Sequence, residues 1–315
     1  MKTEIQHIVD THCHVISQDQ AQFPIADSIG GKQSDWSRER PVNVDGMQKE
    51  MLNAGISKSV LVQASTCYGH DSSYVAHSVK TSPNCFIGVC SVDFLDPKAI
   101  EHLEHWLKLG VTGVRVFIAG HTAADDNKRL DDPKAFPLWD WISEKQIPIC
   151  VQLRSNGLPS VANLLTHFPK AVVLLDHFAR PELSDGFPFA QAQSLFDLAR
   201  FKGLHFKYTT HNVRDSLLGK STQAEFIQKA VQVFGASRIA WGSNFPACNR
   251  TLAEQLQEGI EATAELSLSD REWIFSKTAH QLYPSLNNIA GLWLPETFRY
   301  FYHLISSWNK HFTPF

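Results

Sequence analysis

The sequence lacks several features that would place it in other classes of protein. Among its 315 residues, no apolar run approaches the roughly 20 residues needed to cross a bilayer. The 29 Lys and Arg residues against 32 Asp and Glu residues give a net charge of -3, without the basic excess of nucleic-acid-binding proteins. The N-terminal residues also lack the basic, apolar and cleavage segments of a secretory signal. We therefore expect a cytoplasmic protein that binds neither nucleic acid nor membrane.

Paired cysteines and a glycine-rich phosphate loop are missing as well. The 6 cysteines are scattered and form no C-x-x-C pair, which in a chain of this length is typical of reduced, mostly buried thiols. No G-x-G-x-x-G motif follows the first predicted strand, which argues against a dinucleotide-binding fold.

The sequence alternates short β-branched runs with longer amphipathic segments. The predicted strands are Ile5–Thr11, Ser59–Gln63, Cys85–Val89, Gly113–Phe117, Pro148–Leu153, Ala171–Leu175, Gly203–Tyr208 and Arg238–Trp241. Helices are predicted between them, for example at Val44–Ala54, Pro97–Leu109, Pro133–Lys145, Leu158–Phe168, Ala190–Arg200 and Thr222–Phe234. Eight strands alternating with helices predict an α/β fold, a single-domain (β/α)8 TIM barrel, and a doubly wound open sheet is the alternative.

Two segments exceed a minimal barrel of residues 1–287. The polar stretch Gln18–Pro41 follows the first strand, on the face where barrel active sites form, and is predicted to be a lid or a pocket wall. Residues 288–315 are predicted to form a helical C-terminal extension that is aromatic from Trp293 to Phe315. We expect it to pack on the barrel or on a partner subunit, which makes a homodimer one expectation. A membrane-surface helix is disfavoured because the extension is not rich in Lys or Arg.

Histidines stand at two of the predicted strand ends. The first strand ends in Asp10-Thr11-His12-Cys13-His14, and side chains alternate along a strand, so His12 and His14 point to the same side. The sixth strand ends in Asp176-His177. Three imidazoles there could polarise one carbonyl or bind one metal ion. Each taken alone is as readily an ordinary histidine, and Asp176 could cap a turn rather than react.

Arginines form the second pattern at the strand ends. A lone arginine is usually a surface residue, but Arg115, Arg154, Arg180 and Arg214 all fall at or just beyond the carboxyl ends of predicted strands. Because the guanidinium fork binds carboxylates with two hydrogen bonds, four at one end of a barrel predict a small anionic, carboxylated substrate. Gln152, one pleat repeat before Arg154, is a further predicted substrate contact.

Several stretches resemble the amidohydrolase superfamily, specifically its branch of metal-independent or mononuclear lactonases. Within that branch the chain looks most like the lactonases of 2-pyrone-4,6-dicarboxylate. The matching stretches, in family order, are Asp10–Val15, Ala21–Pro24, Val62–Ser65, Gly113–Arg115, Asp176–Pro181 and Trp241–Pro246. Thr278–Tyr283 resembles the family's closing helix. The resemblance implies a hydrolase that opens a small carboxylated lactone by water attack on the ring carbonyl, in the breakdown of aromatic acids.

The resemblance also implies roles for individual residues. His12, His14 and His177 would surround the scissile carbonyl or hold a divalent metal such as zinc. Arg115 and Arg180 would hold the carboxylates of the substrate, while Ser65 would line its pocket. We expect a site that works without a cofactor, with a single divalent metal as the alternative.

One position departs from the family pattern. Where the family has an aspartate that takes a proton from the attacking water, this chain has Asn244, predicted to be part of the catalytic site, and an amide has no useful basicity. Another group is the base, with His211, His70 and Asp176 as candidates, or the barrel has lost hydrolysis and binds its ligand or catalyses another reaction. A third interpretation is that Asn244 is an engineered replacement that traps substrate. The resemblance is also compatible with a sugar-acid lactonase or a metal-dependent decarboxylase of the same superfamily.

Overall fold

The computed structural model describes residues 5, 7–26, 29, 31–119 and 126–291. Eight parallel strands form one sheet whose order follows the chain. They are β1 (Val9–Cys13), β2 (Lys58–Val62), β3 (Phe86–Ser91), β4 (Val111–Phe117), β5 (Ile149–Gln152), β6 (Val173–Leu175), β7 (Leu204–Thr209) and β8 (Ile239–Gly242). The predicted (β/α)8 barrel is confirmed, and the doubly wound alternative is wrong because the strand order never reverses.

The barrel closes between β1 and β8. The backbone N–H of Asn244 donates to the carbonyl oxygen of His12 at 2.7 Å, and that of His14 donates to Phe245 at 2.9 Å. Gly242 permits this approach, because a Cβ atom there would lie 2.6 Å from the Cβ of His12. The closing contact therefore lies beside the two motifs that carry His12 and Asn244.

Helices surround the barrel in the predicted alternation. The α-helices are Asp35–Glu39, Val44–Ala54, Ser65–Tyr68, Ser73–Thr81, Ala99–Lys108, Phe136–Glu144, Leu158–His167, Gln193–Phe196, Thr210–Ser216, Gln223–Phe234, Leu252–Ala262, Leu268–Glu272 and Thr278–Leu282. Shorter helical turns are Asn127–Arg129, Pro133–Ala135, Ser155–Gly157, Asp176–Ala179, Ala190–Ala192, Asp197–Arg200, Ala236–Arg238 and Pro284–Asn288, with a π-helix at Trp273–Lys277.

The predicted boundaries of helices and strands are correct in some elements and wrong in others. Helix Val44–Ala54 is correct at both ends: the Asn43 side chain accepts from a first-turn N–H, and Gly55 ends the helix in the left-handed conformation. The predicted helix Ala190–Arg200 is wrong as a continuous element, since only Gln193–Phe196 is α-helical between two 3₁₀ turns. Strand β1 begins at Val9 rather than Ile5, because its pairing with β2 begins there.

Apolar side chains pack the inside of the barrel. They include Val9, Val60, Val62, Ile87, Val89, Cys150 and Leu174, with Tyr283 and Leu286 from the segment after β8 packed against them. Gly113 in β4 leaves room for the Tyr283 ring, because a Cβ atom there would lie 3.2 Å from Cε1 of that ring. The chain after β8 thus closes the barrel interior, as the resemblance of this segment implies.

The structure describes only part of the two segments that exceed the minimal barrel, the stretch after β1 and the C-terminal extension. Residues 14–43, after β1, carry the short helix Asp35–Glu39. Residues 292–315, which hold most of the predicted aromatic extension, lie outside the described residues, so its packing and the homodimer stay predictions. No helix among the described residues has both the length and the apolar character to cross a bilayer.

His205 in β7 should make stability depend on pH. Burial lowers the pKa of His205 to about 4, so the folded chain resists a proton that the unfolded chain accepts near pH 6.5. The stabilising effect of the neutral ring is therefore complete above pH 6.5 and is lost as the pH falls towards 4. We expect this residue to lower the free energy of unfolding by up to about 1.4 kcal/mol per pH unit in that window.

Urea unfolding between pH 4 and 7 measures this slope. His205→Gln should flatten it, whereas His167→Gln, at an exposed position, should leave it unchanged. Equal slopes in the wild type and His205→Gln would contradict the prediction.

Candidate functional site

A cavity of about 510 Å³ brings most of the predicted site residues together. The predicted residues that line it are His14, Ser65, Arg115, Gln152, Arg154, His177, Arg180 and Asn244. They follow or end six different strands, which places the cavity at the carboxyl ends of the barrel, as in other barrels of this kind. His12 lies fully buried beside His14 and His177.

The imidazoles form a continuous group. Ring centroids lie 4.9 Å apart for His12 and His14, 5.0 Å for His12 and His177, and 5.0 Å for His177 and His211. Trp36, from the segment after β1, stacks on His14 at 5.3 Å, so the predicted pocket wall reaches the site.

The predicted histidines are neutral near pH 7. Burial lowers the pKa of His14 to about 4, and burial also holds the pKa values of His12 and His177 well below their usual range. Nδ1 of His14 donates to the carbonyl oxygen of Val62 at 2.8 Å, so its Nε2 is an acceptor. Neutral rings can therefore accept a hydrogen bond from water inside the cavity.

An unusual left-handed turn after β6 aims His177 and Arg180 at the cavity. Four successive non-glycine residues, 177–180, have φ between 51° and 60°. Each costs about 1–2 kcal/mol in that conformation. Two contacts from the start of helix Thr210–Ser216 hold the turn: Asn212 Nδ2 donates to the His177 carbonyl oxygen at 2.7 Å, and Thr209 Oγ1 lies 2.8 Å from His177 Nδ1.

A buried ion network lies beside the imidazoles. Asp176 Oδ2 lies 3.0 Å from Arg115 Nη2 and its Oδ1 lies 3.1 Å from Lys207 Nζ. Burial alone would raise the pKa of Asp176, but Lys207, His12 and Arg115 outweigh it and hold that pKa well below its usual range. Asp176 therefore stays an anion that orders cations, and it is not a base for water.

Lys207 is a site residue that the sequence prediction does not include. Its Nζ lies 3.2 Å from His12 Nδ1 and donates to Cys150 Sγ at 3.0 Å. Burial lowers its pKa, but Asp176 and Cys150 reverse that effect and raise it above the usual value. The signal for it in the sequence is a lysine between two aromatic residues, Phe206 and Tyr208, of a predicted strand.

Asp10 connects the end of β1 with the loop after β8 through hydrogen bonds. Its carboxylate accepts hydrogen bonds from the backbone N–H groups of His12 and Ser243 at 2.9 Å each, and from Ser243 Oγ at 2.5 Å. Asn244 follows directly, with φ of 64°. Asp10 thus positions the loop after β8 and does not line the cavity in the described part of the chain.

The structure separates the three candidate bases. His211 lines the cavity, and its Nε2 lies 3.0 Å from the side-chain amide of Asn244. His70 is not among the described residues of the lining, and its Nδ1 lies 2.9 Å from Ser91 Oγ. Since Asp176 is held as an anion by cations, His211 is the candidate that combines a basic nitrogen with access to the cavity.

The predicted arginine cluster is smaller than expected. Arg115, Arg154 and Arg180 line the cavity, whereas Arg214 is not part of the described lining and its Nη2 lies 3.3 Å from Glu258 Oε1. Arg180 forms two hydrogen bonds with Asp215, at 2.7 and 3.0 Å. Protein carboxylates therefore already face two of the cavity arginines.

The donor set does not fit a tightly held metal ion. His12 Nδ1 lies 3.2 Å from the Lys207 ammonium, whose positive charge disfavours a metal ion at that ring. Strand β8 contributes the amide of Asn244 in place of a carboxylate. Within the described ranges, no group of three His, Cys, Asp or Glu side chains is arranged to hold a metal ion.

Removing Lys207 should destabilise the fold. Lys207→Met takes one partner from a fully buried ion network, which typically costs about 3–5 kcal/mol. Chemical denaturation measures this loss, and the double variant with Asp176→Asn should recover part of it because the two sites interact. Lys170→Met is the matched control, since its ion pair with Glu144 is exposed and should contribute nothing measurable. Unchanged stability in Lys207→Met would contradict the network's role.

Known proteins share this barrel. The family model described as Amidohydrolase matches residues 9–285. A solved structure of a putative 2-pyrone-4,6-dicarboxylic acid hydrolase from Pseudomonas putida has a TM-score of 0.72 and 20% identity, covering 90% of this chain and 99% of that one. An amidohydrolase from Burkholderia multivorans with bound zinc has a TM-score of 0.71 and 19% identity, covering 88% and 99%.

A relative of assigned activity matches a shorter stretch. An L-fucono-1,5-lactonase from Burkholderia ambifaria is 25% identical over 125 residues, which are 38% of this chain. The match spans 42% of that relative's length, less than half. The two solved structures are below 25% identity and show the fold alone, whereas the family model covers most of the chain. The chain therefore belongs to the amidohydrolase family.

Proposed function

We propose that this protein hydrolyses a small polar lactone that carries a carboxylate. The observation that carries the proposal is the pairing, in one cavity, of neutral imidazoles with arginines. Arginines suit a carboxylated ligand, and neutral imidazoles suit a water molecule that must lose a proton. The structure of the putative pyrone-dicarboxylate hydrolase, which shares the fold, supports this class of substrate.

The proposed reaction adds water to the ring carbonyl. Arg154 would hold the carboxylate, and Arg115 would face the carbonyl oxygen on which negative charge develops. His14 presents its Nε2 as an acceptor and would hold the attacking water. Collapse of the tetrahedral intermediate breaks the ring C–O bond and leaves an open-chain acid. Such charge stabilisation by positioned donors contributes about 100- to 1000-fold per donor.

We assign the role of general base to His211. Asn244 cannot take a proton, but its amide lies 3.0 Å from His211 Nε2 and orients the ring. With the amide oxygen turned to the ring, Nε2–H donates to Asn244, and Nδ1 is the nitrogen that takes the proton of water. The two residues would together replace the single aspartate that the family pattern has at the end of β8.

A sugar-acid lactone is the second candidate substrate. Asp215 and Glu182 also line the cavity, and carboxylates accept hydrogen bonds from hydroxyl groups. The similarity to a stretch of the L-fucono-1,5-lactonase also supports a sugar-acid lactone as the substrate. A decarboxylase that depends on a divalent metal is less well supported, because the donor set does not fit a metal.

Hydrolysis tests the function with two matched histidine variants. The wild type should open 2-pyrone-4,6-dicarboxylate, seen as loss of the pyrone absorbance, or a hydroxylated lactone, seen as acid release at constant pH. His211→Ala should lose about 100- to 10,000-fold in kcat, the usual contribution of a general base. His70→Ala, outside the described lining, should retain wild-type turnover. Equal losses in both variants would refute His211 as the base, and binding without turnover of any lactone would leave a non-catalytic binding barrel.

Metal content tests the proposal of a cofactor-free reaction. Protein purified without added metal should contain much less than one divalent ion per chain by mass spectrometry, and a chelator should leave turnover unchanged. Addition of zinc to the chelated protein is the control. One zinc or manganese ion per chain, with activity that the chelator removes, would overturn the proposal.

A further inference from the structure

The wall of the cavity formed by Arg180 and Asp215 carries no net charge. Arg180 Nε lies 2.7 Å from Asp215 Oδ2, and Arg180 Nη2 lies 3.0 Å from Oδ1, so the carboxylate occupies one edge of the guanidinium. Both side chains line the cavity. A substrate carboxylate that approached Arg180 would therefore meet a fixed carboxylate beside it.

The rest of the lining contains a second acidic group. Glu182 follows Arg180 by two residues and lies in the same wall. The lining thus has Arg115, Arg154 and Arg180 against Asp215 and Glu182. Behind the lining, Asp176 faces both Arg115 and Lys207, so these groups together carry one net positive charge. This balance suits a ligand with one negative charge better than a ligand with two.

The geometry points to Asp215 as the residue that determines specificity, selecting lactones with one carboxylate and hydroxyl groups over dicarboxylated lactones. Asp215 oxygens accept hydrogen bonds from hydroxyl groups, while their charge repels a second carboxylate. This inference rests on the proposed lactone hydrolysis and narrows its substrate class. It gives Arg180 the role of orienting Asp215, in place of the carboxylate-binding role that the family resemblance implies.

The placement of Asp215 and Arg180 in the fold supports the role of Asp215 in specificity. Asp215 belongs to helix Thr210–Ser216, whose first residues hold the left-handed turn that carries Arg180. The two partners therefore stand on elements that are tied to each other, so the pair is built into the wall. The side chains are 36% exposed for Arg180 and 18% for Asp215, so a ligand in the cavity can reach both.

Two six-carbon acids that the protein cannot hydrolyse probe the wall directly. Galactonate carries one carboxylate and several hydroxyl groups, while adipate carries two carboxylates and no hydroxyl group. Titration calorimetry should show tighter binding of galactonate by the wild type. Asp215→Asn keeps the shape of the side chain. It should lower the affinity for galactonate about tenfold, which corresponds to about 1.4 kcal/mol, and raise the affinity for adipate at least about threefold.

Glu258→Gln is the matched control. It removes the carboxylate of a similar pair with Arg214 on the same barrel, outside the described cavity lining, and should change neither affinity by more than about twofold. Changes of opposite sign in Asp215→Asn are the essential result, because a merely structural role would weaken both ligands together. Equal weakening of both, unchanged affinities, or a wild type that prefers adipate would each overturn the inference.

Lactone turnover separates this inference from the proposed function. The wild type and Asp215→Asn could hydrolyse lactones with the same preference for hydroxylated over dicarboxylated substrates. That result would refute the role of Asp215 and leave the proposed hydrolase activity intact. Asp215→Asn could instead change the affinities for galactonate and adipate in opposite directions while the protein hydrolyses no lactone. That result would establish the role of Asp215 in ligand selection and refute the proposed hydrolase activity.

Discussion

The carboxylate of Asp176 is the charge on which the site depends. It lies fully buried between Arg115 and Lys207, and a carboxylate in that position is tolerated only because both cations meet it. Its Oδ1 lies 3.3 Å from His12 Nδ1, and its pairing with Arg115 determines how much positive charge faces the cavity. One buried anion therefore couples the imidazoles to the arginines.

Charge compensation distinguishes this cavity from a simple cluster of arginines. Arg115, Arg180 and Arg214 each have a protein carboxylate within 3.3 Å, from Asp176, Asp215 and Glu258. A count of arginines in the sequence overstates the attraction for anions, because the guanidinium edges that a ligand would use are partly occupied. The proposed preference for a singly charged, hydroxylated lactone follows from this pairing.

Much of the architecture could be read from the sequence because local signals repeat. Eight β-branched runs alternate with amphipathic helices, and Asn43 and Gly55 mark the ends of one helix correctly. The two histidines of the first motif and His177 could be placed together because barrel strands present their carboxyl ends on one face. Helix 190–200 was not predictable as it stands, since nothing local in its sequence identifies the two 3₁₀ turns that interrupt it.

The sequence by itself determined the barrel, the strand ends that carry the site and the missing carboxylate at Asn244, because these depend on periodicity and residue type. Tertiary structure alone decided the roles of Lys207, Asp215 and His211. Their contacts join residues from separate strands and helices, over 195 positions for Lys207 and His12. Pairing of buried charges depends on distances across the barrel, and such distances exist only once the chain has closed between β1 and β8.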